Sequence, residues 1–385
     1  MSDDTLQPAE HVDIARNREP RAGNAVDDGK GRVFPCENCG ADVEFNIGSQ
    51  SLKCPYCGHE KKIDLDADAT IQEQDFEAMV ARVAEQHEAD RHDEEGQSEV
   101  RCSSCGGTVV FIGTLTSSAC PYCGTPIQRD KIHTATHRIP VDAVLPFFVD
   151  HERARQNLAE WVRSRWFAPN AFLKQGVSGN FNGVYLPYWT FDTLTFNAYS
   201  GERGDAYYVT VGSGDKQRQE RRVRWSSASG KFQRFFDDVT IPASKGLDQN
   251  RLVALEPWPF GKMIPFTQQV LAGFLARTYD ISLKDGFAAA KERVDSAIAS
   301  DVRRRIGGDE QRVWSIKSRY DAITFKHLLL PVWLMAYRFH NKPYRVYINA
   351  ATGEVQGDRP YSWAKISLAV LCGLIVAGII AALQR

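Results

Sequence analysis

Eight of the nine cysteines fall into four Cys-x-x-Cys pairs: Cys36/Cys39, Cys54/Cys57, Cys102/Cys105 and Cys120/Cys123. A Cys-x-x-Cys turn holds two thiolates near a common point. Two such turns joined by a hairpin close a tetrahedral site, with metal–sulfur bonds near ~2.3 Å for zinc. Four cysteines leave no open coordination position, so the chemistry expected is structural and not catalytic. The expectation is two Zn2+, one held by Cys36, Cys39, Cys54 and Cys57, the other by Cys102, Cys105, Cys120 and Cys123. Modules of about 25 residues have almost no core, and the metal must supply their folding energy. The rival reading, a redox dithiol, needs a thioredoxin-like βαβ context that the sequence lacks. His59 follows the last pair of the first set and is read as a surface residue beside a complete ligand set. Gly40, Gly58, Gly106 and Gly124 each follow a second cysteine, where a positive φ lets backbone N–H groups point at sulfur.

The two sets are copies. Residues 36–58 align without gaps on 102–124, with 11 of 23 positions identical and fourteen residues between the pairs in each. Two copies indicate duplicated small modules, since a solenoid needs three or more. Val43 and Phe45, like Val109 and Phe111, alternate as hairpin residues do. The apolar residues Phe34, Phe45, Ile47, Phe111 and Ile112 exceed what such small modules can bury and are expected to be offered to a protein partner.

The elements around the modules follow from charge and periodicity. The chain has 385 residues, 43% hydrophobic, with a formal net charge of −1. That excludes a disordered, collagen-like or polytopic membrane protein. The charge is unevenly spread: −3 over residues 1–31, −1 over 32–58, −10 over 59–100 and +13 over 101–385. Residues 1–31 contain no apolar secretory segment and are expected to be a disordered tail in a reducing cytosol. In the acidic segment, Phe76, Met79, Val80 and Val83 recur at helical spacing, which predicts a short amphipathic helix; Asp90 to Glu95 reads as a solvated spacer.

Beyond residue 130 the texture is α+β. Residues 151–166 predict a helix with Leu158, Trp161, Val162 and Trp166 on one face, and 282–305 predict another. Residues 184–241 and 311–349 are rich in aromatic and β-branched residues, with glycines read as breaks between antiparallel strands. Segregated strands and helices favour an antiparallel, mixed α+β domain over a doubly wound sheet. Ile366 to Leu383 is then eighteen residues without a charge, flanked by Trp363, Lys365 and Arg385. As a helix it would span roughly 27 Å, the length of a membrane crossing. Only two residues follow, so the expected topology is tail-anchored, with Cys372 a small apolar residue within the span.

Catalytic signatures are missing. There is no P-loop, no paired-histidine metalloprotease helix, and no Gly-x-Ser-x-Gly elbow around Ser178 or Ser213. Asp237, Asp238 and Glu256 have no visible acid/base partners. The chain reads as a non-enzyme. The segment between the modules carries −10, which repels phosphate and argues against nucleic acid as the partner. The densest basic stretch, Lys216, Arg218, Arg221, Arg222 and Arg224, is read either as lying near an anionic leaflet or as an edge strand that resists pairing.

The CPYCG modules, the blocks YLPYWTFD (185–192) and DDVTIPAS (237–244), and LLPVWLMAYRFHNKPYRVYINAATGEVQGDRPYSWAKI (329–366) together resemble a bacterial family of zinc-ribbon membrane proteins, of the TFIIB-type or primosomal-helicase-like kind. The resemblance implies rubredoxin-like ribbons on a scaffold that acts with phage-shock protein A and stomatin/flotillin-type partners, in envelope-stress or membrane-maintenance complexes. It also implies a bulk exposed to the cytoplasm at the inner membrane. A membrane-tethered nucleic-acid binder is the alternative; a helicase is not, because the motor motifs are missing. The expected organisation is a tail (1–31), ribbon 1 (32–60), an acidic helical linker (61–100), ribbon 2 (101–128), an α+β domain (130–360) and a transmembrane helix (363–383).

Overall fold

The computed structural model describes residues 36–41, 43–63, 70–89, 98–101, 108–110, 117–119, 126–128, 132–134, 139–164, 181–214, 217–339, 342–358 and 363–383. The first cysteine module is a small antiparallel sheet of β1 (Glu44–Asn46), β2 (Ser51–Lys53) and β3 (Glu60–Lys61), with Phe45 opposite Leu52. β4 (Gln74–Asp75) leads directly into α1 (Phe76–Ala89). The Asp75 carboxylate accepts the Ala78 N–H at 2.7 Å, the bond that satisfies a donor left over in a first helical turn. Phe76, Met79, Val80 and Val83 lie on one face, as their spacing predicts, and pack against the cluster of Trp189, Phe191 and Phe325. Residues 74–83 are therefore docked on the α+β domain, because an apolar stripe leaves water wherever a surface accepts it; the spacer read at Asp90 to Glu95 lies outside the described residues.

The second module contributes β5 (Ser98–Arg101), β6 (Thr108–Val110), β7 (Ser117–Ala119), β8 (Pro126–Gln128) and β9 (Ile132–Thr134), in sheets ordered β6-β5-β9 and β7-β8. Ser98 pairs with Thr134 across β5 and β9.

The α+β domain opens with β10 (Ala143–Val144) and α2 (His151–Arg163). Asp150 caps α2 by accepting the Arg153 N–H at 2.7 Å. Two very long strands follow, β11 (Phe181–Val211) and β12 (Arg218–Pro242), then α3 (Gln249–Val253), β13 (Ile264–Pro265), β14 (Leu275–Ala276) and α4 (Leu283–Ile306). β15 (Glu310–Phe339), β16 (Lys342–Asn349), β17 (Val355–Gly357) and α5 (Trp363–Leu383) complete the order. The central sheet runs β12-β11-β15-β10-β13, antiparallel except where β10 joins β15 and β14 joins β11. The α+β expectation holds at that level. Near the domain centre both sheet faces are buried. Leu186, Tyr188 and Leu330 meet Leu252, Leu255 and Trp258 on one side; Tyr185 and Trp333 meet Leu158 and Val162 of α2 on the other.

Of the glycines expected to break strands, Gly212 and Gly214 do stand in the turn after β11, but others do not. β11 passes straight through Gly201 and Gly204. A Cβ on Gly201 would lie 2.2 Å from the Arg312 carbonyl, and one on Gly204 would lie 2.8 Å from Val223. These positions are close approaches between neighbours, and a side chain, not the strand, is what they exclude. β15 likewise joins two expected strands and absorbs an irregularity at Ala322, which has φ 50°.

Beyond Asp192 the three strands continue as an arm. α4 lies along one face of it, burying Val294, Ile298, Val302 and Ile306 against Phe232, Phe236 and Tyr199. The basic stretch occupies the tip. Arg218, Arg221, Arg222 and Arg224 pair with Val211 to Asp205, while the chain toward α5 leaves from the opposite end, where the Asp358 N–H donates to Arg345, itself paired with Ala336. From Ala336 to Glu310 is 26 residues of β15, roughly 80 Å at ~3.3 Å per residue. Of the two readings of these arginines, the edge strand is the one the sheet order bears out: among the described residues β12 lies at the edge of the sheet.

α5 is a helix of 21 residues, roughly 31 Å long at ~1.5 Å per residue. Val370, Leu371, Leu374, Ile375, Val376, Ile379 and Ile380 are 50–65% exposed around it. Among the fully described residues no helix is both long and apolar enough to cross a membrane, and the side chains at 363, 364, 368, 381 and 383 lie outside that set.

Candidate metal centre

The hairpin of β1 and β2 positions the first cysteine set. Cys36 and Cys39 lie in the turn before β1, Cys54 and Cys57 in the turn after β2. In each turn the glycine donates back to the first cysteine: Gly40 N–H to the Cys36 carbonyl at 2.8 Å, Gly58 N–H to the Cys54 carbonyl at 3.0 Å. Gly40 and Gly58 have φ of 69° and 74°, the left-handed backbone expected of them. The N–H groups that reach sulfur belong to the residues just past the glycines: Ala41 hydrogen-bonds Cys39, and His59 hydrogen-bonds Cys57. His59 thus serves through its main chain.

The four Sγ atoms lie within 4.8 Å of one another, and the pairs Cys36–Cys57 and Cys39–Cys54 are 3.5 Å apart. A tetrahedral site with bonds of ~2.3 Å separates its sulfurs by about 3.8 Å, so the donor set fits one four-coordinate metal ion. Cys36 and Cys54 are buried; Cys39 and Cys57 face outward. The His59 N–H, with help from neighbouring sulfurs, draws the Cys57 thiol down to about 6. At Cys39 the Ala41 N–H lowers the value, but the bonds to Cys54 and Cys57 and loss of water outweigh it and push it up to about 12. Four thiolates cannot crowd together without a cation to hold them.

The module is seated on the α+β domain. The Phe45 N–H donates to the Ala272 carbonyl at 3.0 Å, its ring lies 6.3 Å from that of Phe274, and Cys36, Val43, Leu52 and Cys54 pack with Ala272. Phe274 stacks on Phe147 at 4.0 Å, and Phe147 meets Tyr185 and Trp333 edge-on. Phe45 is consequently buried and Ile47 half-buried against the chain's own core. The expectation that these two face a partner is corrected: the apolar excess of the first module is satisfied within the molecule. Phe34, Phe111, Ile112 and the set Cys102, Cys105, Cys120 and Cys123 lie outside the described residues.

Two of the carboxylates without visible partners, Glu256 and Asp238, acquire them through the fold. Glu256 makes two 2.9 Å bonds to Arg293. Asp238 sits in a bulge of β12 with φ 49°, and the Lys326 ammonium bridges Asp238 at 3.0 Å, Asp192 at 3.3 Å and Glu73 at 3.2 Å. Oxygens of Asp192, Asp237 and Asp238 lie within 4.8 Å of one another, but Lys326 supplies the positive charge among them. This bridge was not legible in the sequence, because its four members come from segments up to 253 residues apart. Ser213 stands in the turn between Gly212 and Gly214, both at positive φ.

Among known proteins, no family model matches the chain, and neither does any solved structure. A curated relative, "Uncharacterized protein YdjG" of Bacillus subtilis (strain 168), is 24% identical over 345 residues, which are 87% of this chain and 92% of that protein. The likeness covers most of both chains.

Proposed function

We propose that this chain is a zinc-ribbon adaptor held at the cytoplasmic membrane by α5, with its modules and α+β domain presented to the cytosol as a platform for protein partners. The observation that carries the reading is the surface of α5. From Ile366 to Leu383 there is no charge, and apolar side chains stand exposed on every side of the helix. A helix that is apolar all round belongs in a protein core or a bilayer, and among the described residues no element packs along it. Trp363 and Lys365 at its start are residue types that settle at a lipid–water interface.

Zinc is the metal proposed for Cys36, Cys39, Cys54 and Cys57, because four thiolates in a closed tetrahedron suit a cation without redox chemistry. The copied sequence of the second module extends the proposal to a second Zn2+ at Cys102, Cys105, Cys120 and Cys123. The metals would fold their modules and take no part in a reaction. The resemblance to ribbon proteins that act with phage-shock protein A and stomatin/flotillin-type proteins supplies the partner class. The burial of Phe45 and half-burial of Ile47 support assigning recruitment to the second module, whose Phe111 aligns with Phe45 and has Ile112 next to it.

Fractionation of cells that express the full chain, and a version ending at residue 362, tests the reading. The full chain is expected in carbonate-washed membranes and the shortened one in the soluble fraction, each with close to two zinc equivalents. A full chain that washes off with carbonate overturns the anchor; one equivalent, or an iron–sulfur spectrum, overturns the paired ribbons.

A further inference from the structure

The outer edge of β12 is open for an unusual length. β12 closes one side of the sheet, and among the described residues only β11 pairs with it. From Arg218 to Phe235 no residue is buried. Eighteen residues of edge far exceed an ordinary strand of five or six. Proteins blunt such edges by keeping them short, by proline, by bulges or by charge. This edge uses only charge: the one proline of β12 is Pro242, and the bulge lies at Asp238, past the exposed stretch.

That charge has one sign. Residues 218–235 hold six cations, Arg218, Arg221, Arg222, Arg224, Lys231 and Arg234, against the single acid Glu220. Arg221 and Arg234 are engaged by Glu310 and Asp301, and Arg222 reaches Glu220 at 3.9 Å. Arg218, Arg224 and Lys231 have no acidic partner among the described residues. A row of like charges excludes a second copy of the same edge. It does not exclude a strand of opposite charge, whose backbone would find intact donors and acceptors and whose side chains would find cations.

We propose that the β12 edge from Arg218 to Phe235 is a docking site for an extended acidic segment of a partner protein, which adds to the sheet as a further antiparallel or parallel strand. Phe235, 58% exposed at the inner end of this edge, offers an apolar contact beside the cations. The edge lies on the arm, away from the end of the sheet that leads to α5, so it remains accessible whether or not α5 enters a membrane. The proposal stands independently of the adaptor reading.

The experiment uses the full chain purified in detergent and a fluorescent sixteen-residue peptide of alternating Glu and Val. Three probes accompany it: the Lys/Val peptide, the Glu/Val peptide N-methylated at alternate residues, and a sixteen-nucleotide oligo-dT. The acidic peptide is expected to bind at least tenfold more tightly than each of the three. Arg224→Glu with Lys231→Glu should weaken it at least tenfold while the circular dichroism spectrum is unchanged. Equal binding of the N-methylated peptide would overturn strand addition. Tighter binding of oligo-dT would make the surface a nucleic-acid site, and no binding of the acidic peptide would remove the site altogether.

Discussion

The side-chain amide of Gln50 donates to the main-chain carbonyl of Phe147 at 2.8 Å, across 97 residues of sequence. It fastens the tip of the β1–β2 hairpin to the core of the α+β domain, next to the contacts of Phe45 with Ala272 and Phe274. The first cysteine module is thereby part of the domain's own packing.

Metal loss at this module should therefore weaken the whole domain. Cys54→Ser, or a strong chelator, is expected to lower the thermal midpoint of the main unfolding transition monitored by far-UV circular dichroism. If the module were an independent bead, that transition would stay where it is and only a small separate one would vanish.

Phe45→Ala should destabilise the domain by about 3–5 kcal/mol, the usual range for a buried phenylalanine. Denaturant titration measures it. A double-mutant cycle with Phe274→Ala should return a coupling of about 0.5–1.5 kcal/mol, the worth of an aromatic pair beyond its area.

Lys326→Met removes the cation that three carboxylates share and leaves Asp192 buried and uncompensated; about 3–5 kcal/mol should be lost. Adding Asp192→Asn should recover part of that loss. No recovery would mean that the two residues contribute separately.

Asp192 also sets a pH dependence. Loss of water raises its carboxyl to about 6, with the Asp238 N–H and Lys326 opposing that rise and Glu73 adding to it. A carboxyl with a folded value above its unfolded one binds its proton more tightly when folded. Its contribution to stability is therefore present at low pH and fades as pH climbs from about 4 to about 6. Asp192→Asn should flatten the stability profile in that window, read from denaturant midpoints at pH 4, 5, 6 and 7.

Gly286→Ala tests the seating of α4. A Cβ there would lie 2.6 Å from Cδ1 of Trp189, whose indole N–H is bonded to the Ile281 carbonyl and cannot easily retreat. Although alanine is the better helix former, the overlap should prevail and destabilise by about 1–3 kcal/mol. A rise in thermal midpoint would show that Trp189 gives way.

The local features were determined by the sequence. Cys-x-x-Cys spacing specified the candidate metal site of Cys36, Cys39, Cys54 and Cys57, because the placement of these thiols is set within a turn and one hairpin. The stripe Phe76, Met79, Val80 and Val83 specified α1, and the Ile366–Leu383 run specified α5, because helical periodicity is carried by neighbours in the chain. The tertiary structure decided everything that depends on who faces whom. It turned Phe45 from an exposed residue into a core one, joined strands through Gly201 and Gly204, gathered Glu73, Asp192 and Asp238 around Lys326, and carried the basic stretch to the far end of an arm. Each of these rests on pairing between residues tens to hundreds of positions apart. Such pairing leaves no period or spacing in the sequence, because it is fixed by the collective burial of many side chains and not by any local preference.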